Sequence, residues 1–112
     1  MGKDFKLAFS QKGLKGYKFI LKNKNLEVYF LNVIKGHDTY FKSKKCSHIY
    51  YILKGKGFFD VNNKKINVKT GNIVEISPRK EYTYTGKMEM LLIINPPWFK
   101  GNEIILRKNP AV

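Results

Sequence analysis

The chain has 112 residues, of which 43% are hydrophobic and 14% aromatic, so we expect one packed domain over residues 1–112 and exclude intrinsic disorder. No apolar run reaches the roughly 18 residues that span a bilayer, and no apolar signal segment follows the amino terminus. The single cysteine excludes an intramolecular disulfide, so we expect a cytoplasmic protein without a membrane partner.

The net charge of +14 arises from 22 Lys and Arg residues against 8 Asp and Glu residues. Such an excess is typical of proteins with anionic partners. However, only Arg79 and Arg107 are arginines, whereas nucleic-acid interfaces favour arginine, and the lysines are spread along the whole chain. We therefore interpret the charge mainly as compositional bias and disfavour nucleic acid as a partner. A basic nucleic-acid-associated protein is the third of three functional hypotheses.

The predicted elements are short strands separated by turn residues. In chain order, strands are predicted over 26–34, 48–53, 58–61, 66–68, 73–76, 82–85, 88–94 and 103–106. The glycine-rich run 54–57 is predicted to be a turn, and Asn62 and Asn63 a hairpin tip, because Asn tolerates positive φ. No segment sustains a helical period over three turns. The pattern favours an all-β sandwich or barrel.

Two segments have a distinctive spacing of glycines. The first runs from Gly36 to Gly55 and reads GHDTYFKSKKCSHIYYILKG, and the second runs from Gly71 to Tyr82 and reads GNIVEISPRKEY. Together they resemble the two-motif signature of the cupin family, G-x5-H-x-H-x3,4-E-x6-G followed by G-x5-P-x-G-x2-H-x3-N. The resemblance implies a jelly-roll β-barrel of about eight to eleven strands, with two paired strands in residues 36–55. It also implies a homodimer, because small cupins commonly pair their sheets.

The four metal-ligand positions of that family fall here on Lys42, Lys44, His48 and Tyr82. Charged lysines repel divalent cations, and one imidazole with one phenol is a weak donor set. We therefore predict no metal and no other cofactor. An alternative is a weak metal site formed by His37, Cys46 and His48.

Strand alternation places the replaced positions on common faces, because residues two apart point the same way. We predict that one cavity collects Lys42, Lys44, His48, Tyr50, Tyr82 and Tyr84. Ammonium groups beside phenols would bind an anionic, hydroxylated small molecule such as a sugar phosphate or a nucleotide sugar. In the alternative interpretation, the lysines extend into solvent and the tyrosines fill the core.

Metal-free cupins that act on nucleotide sugars suggest the first functional hypothesis, an isomerase or epimerase. The resemblance implies His48 as base and Tyr82 as its proton-transfer partner, with Lys42 or Lys44 stabilising an enolate. The second hypothesis is a non-catalytic module that binds or senses a metabolite. His48 would then be a hydrogen-bonded core histidine.

Overall fold

Nine antiparallel strands make up most of the described chain, which is residues 5–112 of a computed structural model. The first four residues of the predicted domain lie outside this range. The strands are β1 (Phe5–Ser10), β2 (Leu14–Phe19), β3 (Glu27–Val33), β4 (Thr39–Ser43), β5 (Ser47–Val61), β6 (Lys64–Lys69), β7 (Ile73–Ile76), β8 (Tyr82–Asn95) and β9 (Glu103–Lys108). None of the described residues is helical. The all-β prediction and the predicted strand number are confirmed.

The long strand β8 organises the curled sheet. On one side it pairs with β3 from Glu27↔Ile94 to Val33↔Met88, and on the other with β5 from Ser47↔Asn95 to Val61↔Tyr82. Strands β1 and β2 extend the sheet beyond β3, while β6 and β7 pair with β5. Strand β4 pairs with β9, and it also contacts the amino end of β8 at the pair Phe41↔Tyr82. Because β8 is paired along both sides, it fixes where the other inward-facing side chains lie.

The predicted turn at 54–57 and the predicted break between strands 82–85 and 88–94 both lie inside strands instead. The run 54–57 belongs to β5, which is continuous apart from a bulge between Ile52 and Lys54. Gly86 belongs to β8, where it lies opposite Gly57. A Cβ on Gly86 would overlap the backbone of Gly57, so these glycines permit a close crossing of two strands and do not reverse the chain.

The prediction that residues 36–55 form two paired strands is wrong in its pairing. The segment does contain β4 and the first part of β5. Among the strands of residues 5–112, however, β4 pairs with β8 and β9, and β5 pairs with β6, β7 and β8. Strands β1 and β2 were not predicted either, because glycine and lysine interrupt the apolar alternation of residues 5–19.

The hairpin tip predicted at Asn62 and Asn63 is confirmed. These residues have φ angles of +48° and +66° and connect β5 to β6 at the pair Val61↔Lys64. Asparagine reaches this left-handed region more easily than most residues.

The apolar core fills one end of the curled sheet. Residues that face inward alternate with outward ones along β3, β5 and β8, as strand geometry requires. The almost fully buried apolar side chains at this end are Leu14, Leu31, Val33, Ile52, Phe59, Met88 and Met90. At the other end most inward residues are aromatic or polar, beside the aliphatic Leu92 and Ile94, and space remains between them. No helix in residues 5–112 has the length and hydropathy needed to cross a bilayer.

Two glycines of the motif frame offer a matched test of this packing. Gly55 and Gly71 both have φ of +93°, but a Cβ on Gly55 would overlap the Lys87 carbonyl, whereas a Cβ on Gly71 would meet nothing within 4 Å. Gly71→Ala should therefore cost only the conformational penalty of roughly 1–2 kcal/mol. Gly55→Ala should cost about 1–3 kcal/mol more, because a backbone neighbour must shift. Urea unfolding of both variants measures the difference, and equal losses would contradict the close crossing.

Candidate functional site

A cavity of about 340 Å³ opens on the inner face of the sheet. One part of its wall carries hydrogen-bonding groups and another part is aromatic. The lining residues include the polar Gln11, His37, His48, Tyr50, Tyr84 and Glu103, and the aromatic Phe9, Tyr29, Phe41 and Trp98. A concave site with a few convergent polar groups among apolar walls is typical of small-molecule binding sites.

His37 lies in the loop between β3 and β4, and both of its ring nitrogens have hydrogen-bond partners. Its Nδ1 is 3.0 Å from the Thr39 carbonyl oxygen, and its Nε2 is 3.3 Å from Gln11 Nε2. The Thr39 N–H also lies 3.3 Å from Nδ1, but the shorter contact to the carbonyl and the Gln11 NH₂, which only donates, favour the tautomer with the proton on Nδ1 and with Nε2 accepting from Gln11. Gln11 is itself oriented, because its Oε1 accepts from the Asp38 N–H at 3.2 Å.

The loop that carries His37 is held from both ends of the chain. The Asp38 carboxylate accepts from the backbone N–H groups of Lys12 and Gly13, each at 3.1 Å. From the other side, the buried Asn109 amide donates to the His37 carbonyl at 3.1 Å. These bonds fix the imidazole at one wall of the cavity, against Phe41 with ring centroids 4.2 Å apart.

Both histidines of the chain face the cavity as neutral imidazoles. Burial lowers the pKa of His37 to about 4, partly opposed by the Thr39 carbonyl and the nearby Asp38. Burial also lowers the pKa of His48 to about 4, partly opposed by a backbone contact with Cys46. A neutral imidazole can accept a proton at physiological pH.

Three buried tyrosines stand side by side on β5 and β8. The hydroxyls of Tyr50 and Tyr82 form a hydrogen bond of 2.6 Å, and Tyr84 lies 5.4 Å from Tyr50 between ring centroids. Burial raises the pKa of all three phenols, so they remain protonated donors. Within residues 5–112, every fully enclosed polar side-chain atom has a hydrogen-bond partner. The Tyr84 hydroxyl has no such partner, so it is not fully enclosed and faces the cavity that Tyr84 lines.

Among residues 5–112, Glu103 is the one acidic side chain in the cavity wall. It begins β9, opposite Ser43 of β4. Burial raises the pKa of its carboxyl group, because nothing nearby compensates for the lost solvation. Its protonated form is therefore more accessible near neutral pH than that of an exposed glutamate.

The predicted site residues divide into three groups. His48, Tyr50 and Tyr84 line the cavity as expected. Tyr82 is fully buried behind them and reaches the cavity only through its bond to Tyr50. Lys42 and Lys44 do not line it.

The prediction that Lys42 and Lys44 point into the cavity is wrong, because the inward-facing residues of β4 are the odd-numbered ones and not the even-numbered ones. Phe41 and Ser43 are the inward residues, 3% and 4% exposed. Lys42, opposite Ile104 of β9, is only partly covered, and Lys44 is exposed beyond the end of the strand. The interpretation in which these lysines extend into solvent therefore fits their positions.

The donor set at this site does not fit a metal ion. Of the four family ligand positions, only His48 presents a suitable donor to the cavity, since the lysines turn away and Tyr82 is a protonated phenol. The alternative cluster also fails to assemble, because the Cys46 thiol points at the Pro97 carbonyl, 3.8 Å away. No three His, Cys, Asp or Glu side chains within residues 5–112 group as metal ligands.

Sequence reasoning missed several cavity residues. His37 was considered only as a metal ligand, and Gln11, Glu103 and Trp98 received no role in the cavity. Gln11 follows an unpredicted strand, so no local pattern pointed to it. Glu103 had a usable signal, because it is an acidic residue at the start of a predicted apolar strand.

Comparison with known proteins identifies the fold and no more. The sequence matches no protein-family model and no curated protein. Among solved structures, Streptomyces Pac13, described as a unique nucleoside dehydratase, has a TM-score of 0.90 at 22% identity, over 99% of this chain and 92% of Pac13. Its structures include two Tyr→Phe variants and one His→Gln variant, each with uridine.

Two further structures are similar at lower scores. Ectoine synthase from P. lautus has a TM-score of 0.74 at 14% identity, over 90% of this chain and 81% of the synthase. An RmlC-like cupin from Shewanella frigidimarina has a TM-score of 0.71 at 16% identity, over 86% of this chain and 87% of that cupin. The protein therefore has the cupin fold, as the motif frame predicted.

The neutral histidines make stability depend on pH in a predictable direction. Both have folded pKa values of about 4 against an ordinary 6.5, so below pH 6.5 the unfolded chain binds more protons. The stability that comes from keeping these two imidazoles neutral should be fully present above that pH and be lost as pH falls towards 4. From about pH 7.5 to about pH 5, each histidine should cost about 2 kcal/mol.

Urea unfolding at the two pH values measures this loss. In the double variant His37→Gln/His48→Gln it should largely disappear. Glu103 acts in the opposite direction, because its raised pKa favours the folded state at lower pH. A wild-type protein as stable at pH 5 as at pH 7.5 would contradict the neutral buried imidazoles.

Proposed function

We propose that this protein is a small-molecule enzyme that removes water from a neutral, hydroxylated substrate of the nucleoside type, by proton transfer between its own side chains. The observation that carries the proposal is the composition of the cavity. An imidazole lone pair, protonated phenols and a carboxyl group of raised pKa line one space of about 340 Å³. These are the groups that acid–base catalysis requires.

The absence of cations from the cavity wall favours a neutral ligand over a phosphorylated one. The sugar phosphate expected from the sequence depended on Lys42 and Lys44, and none of the residues of 5–112 that line the cavity is Lys or Arg. Glu103 would repel a phosphate whenever it is ionised. Hydroxyl groups instead match the imidazoles, phenols and amide, while Phe9, Tyr29, Phe41 and Trp98 offer faces for a planar ring.

The proposed reaction begins at a carbon next to a carbonyl group of the substrate. Once the substrate displaces the Gln11 amide from it, His37 Nε2 accepts the proton of that carbon, and the electron pair of the C–H bond forms an enolate. The Tyr84 hydroxyl donates to the enolate oxygen, and Tyr50 does so too when Tyr82 donates to Tyr50. These donors are in place before the reaction, which lowers the cost of stabilising the charge.

The second step expels the hydroxyl group on the next carbon. Glu103, in its protonated form, gives its proton to that oxygen, so water leaves as the enolate re-forms the carbonyl and a carbon–carbon double bond. Afterwards the proton on His37 returns through solvent to the Glu103 carboxylate. Every proton taken up is released, and no oxidant or reductant is needed.

The likeness to Pac13 supports this choice of reaction over others. Pac13 is called a nucleoside dehydratase, and its structures with uridine carry replacements of tyrosine and histidine. Tyrosine and histidine are the residue types that dominate the polar wall of the cavity in this chain. At 22% identity the likeness establishes the fold, and the substrate class remains our proposal.

The isomerase or epimerase considered from the sequence shares the first step of this reaction. It differs only in that the enolate is reprotonated at carbon, so no hydroxyl group leaves. A separate acid such as Glu103 is needed for elimination and is dispensable for reprotonation by the same base. The presence of this carboxyl group in the wall favours the dehydratase.

The test uses uridine as ligand and, as substrate, the aldehyde obtained by oxidising its primary hydroxyl group, which bears a hydroxyl one carbon beyond the acidic C–H. We expect uridine to bind in calorimetry and the aldehyde to lose water, seen as the ultraviolet absorbance of the conjugated product. His37→Gln, Tyr84→Phe and Glu103→Gln should each lower turnover by roughly 10²–10⁴-fold.

Matched controls lie outside the cavity. Tyr51→Phe alters a tyrosine on the outer face of β5, 39% exposed, and Lys44→Ala removes a lysine originally expected in the site. Both should retain wild-type turnover. Exchange of the carbon-bound proton in D₂O without water loss would identify an isomerase instead, and binding without exchange would identify a non-catalytic module. If turnover were lost in Lys44→Ala, the anionic ligand expected from the sequence would be favoured over the neutral one.

A further inference from the structure

We propose that Glu27 is a positioning residue for this site: it holds Tyr29 and Trp98 in place as the aromatic rim against which the ring of the ligand packs. The inference rests on the proposed function only in taking the cavity as the ligand site. Glu27 itself does not line the cavity but lies behind its rim, as the first residue of β3.

The geometry of the carboxylate is the main argument. Its Oε1 accepts from the Tyr29 hydroxyl at 3.0 Å and from the Trp98 backbone N–H at 3.0 Å. Its Oε2 is 2.6 Å from Lys18 Nζ. One side chain therefore joins three segments of the chain, and two of the groups it holds line the cavity.

The ionised state of Glu27 strengthens this connection. Burial alone would raise the pKa of this carboxyl group, but hydrogen bonds from Lys18, the Trp98 N–H and Tyr29 outweigh burial and lower it. At neutral pH the group is a carboxylate that only accepts, which suits three donors. Hydrogen bonds to an ionised acceptor are stronger than those between neutral groups.

The segment that carries Trp98 depends on such anchors because it has no strand partners. Residues 96–102 connect β8 to β9 outside any strand. Its far end is fixed by the buried Asn102, whose side chain donates to Ser43 Oγ at 2.8 Å and accepts from the Lys45 N–H at 3.0 Å. Near Trp98, the Glu27 carboxylate supplies the corresponding anchor.

Packing alone does not hold Trp98. Its side chain is 44% exposed, whereas Tyr29 is 8% exposed. A half-exposed indole at the mouth of a cavity has room to swing when its backbone is released. Loss of Glu27 should therefore widen the mouth without disturbing His37, Tyr84 or Glu103, which are held by other contacts.

Trp98 is the single tryptophan of the chain, so its fluorescence reports the rim directly. Without ligand, Glu27→Ala should shift its emission to longer wavelength and increase its quenching by acrylamide about twofold or more. Uridine affinity should fall about tenfold, as expected for loss of hydrogen bonds to a charged group. With the aldehyde substrate, KM should rise by a similar factor while kcat changes little.

Glu27→Gln is the conservative variant, since its amide oxygen still accepts from Trp98 and Tyr29. It should retain wild-type emission and most of the affinity, even if Glu27→Ala unfolds. Lys15→Met, which removes a lysine from the same strand as Lys18, should change nothing. Unchanged Trp98 emission and quenching in folded Glu27→Ala would overturn the proposal, as would a loss of kcat with KM unaltered.

The fluorescence result does not depend on the reaction. A rim that loosens in Glu27→Ala, in a protein that neither binds uridine nor turns over the aldehyde, would leave the positioning of Trp98 intact and overturn the proposed function alone. Unchanged Trp98 fluorescence in Glu27→Ala, in a protein with normal turnover of the aldehyde, would overturn the positioning role of Glu27 and leave the proposed function intact.

Discussion

The pairing of β5 with β8 is the constraint on which the rest of the structure depends. It runs from Ser47↔Asn95 to Val61↔Tyr82, and it places His48 and Tyr50 on the same inner face as Tyr82 and Tyr84. A slip of one residue would turn these side chains outward and bring Ile49 and Tyr51 inside. The glycine crossing and the bulge after Ile52 accommodate the curvature that such a long pair acquires. The placement of these four side chains is thus a product of register, while the connections between strands add Gln11, His37 and Trp98 to the cavity wall.

The cavity disfavours charge on its polar groups in a protein whose net charge is +14. Burial achieves this in the same way at each group, by disfavouring whichever form is ionised. It lowers the pKa of the histidines and raises those of the tyrosines and of Glu103. The phenols consequently stay hydrogen-bond donors, whereas the neutral imidazoles and the Glu103 carboxyl group are the ones that can take part in proton transfer. Charge is kept at the periphery, where Glu27 and Lys18 compensate one another.

The sequence predicted the fold well because turn residues and strand alternation are local signals. The motif frame predicted the cupin fold, and Asn62 and Asn63 predicted the hairpin between β5 and β6; both predictions are confirmed. The site was predicted less completely, for two physical reasons. Parity in the short strand β4 was assigned from a family pattern, while the burial of Phe41 and Ser43 set it the other way. In addition, Gln11, His37 and Trp98 reach the cavity through contacts between distant segments, as in the bond of Gln11 to His37, and these have no local signature.

The glycine frame also bears on how such a fold diverges. Gly55 and Gly86 lie where another backbone passes too close for a side chain, so their positions are fixed by geometry whatever the cavity contains. The cavity residues, by contrast, alternate along strands whose hydrogen bonds are indifferent to side-chain identity. Cavity residues can therefore change by single substitutions without altering the strand pairing on which the fold depends. This explains how a backbone can match Pac13 at a TM-score of 0.90 while 22% of the residues are identical. An insertion or deletion inside β5 or β8, by contrast, would move one of these glycines away from the backbone crossing that it permits.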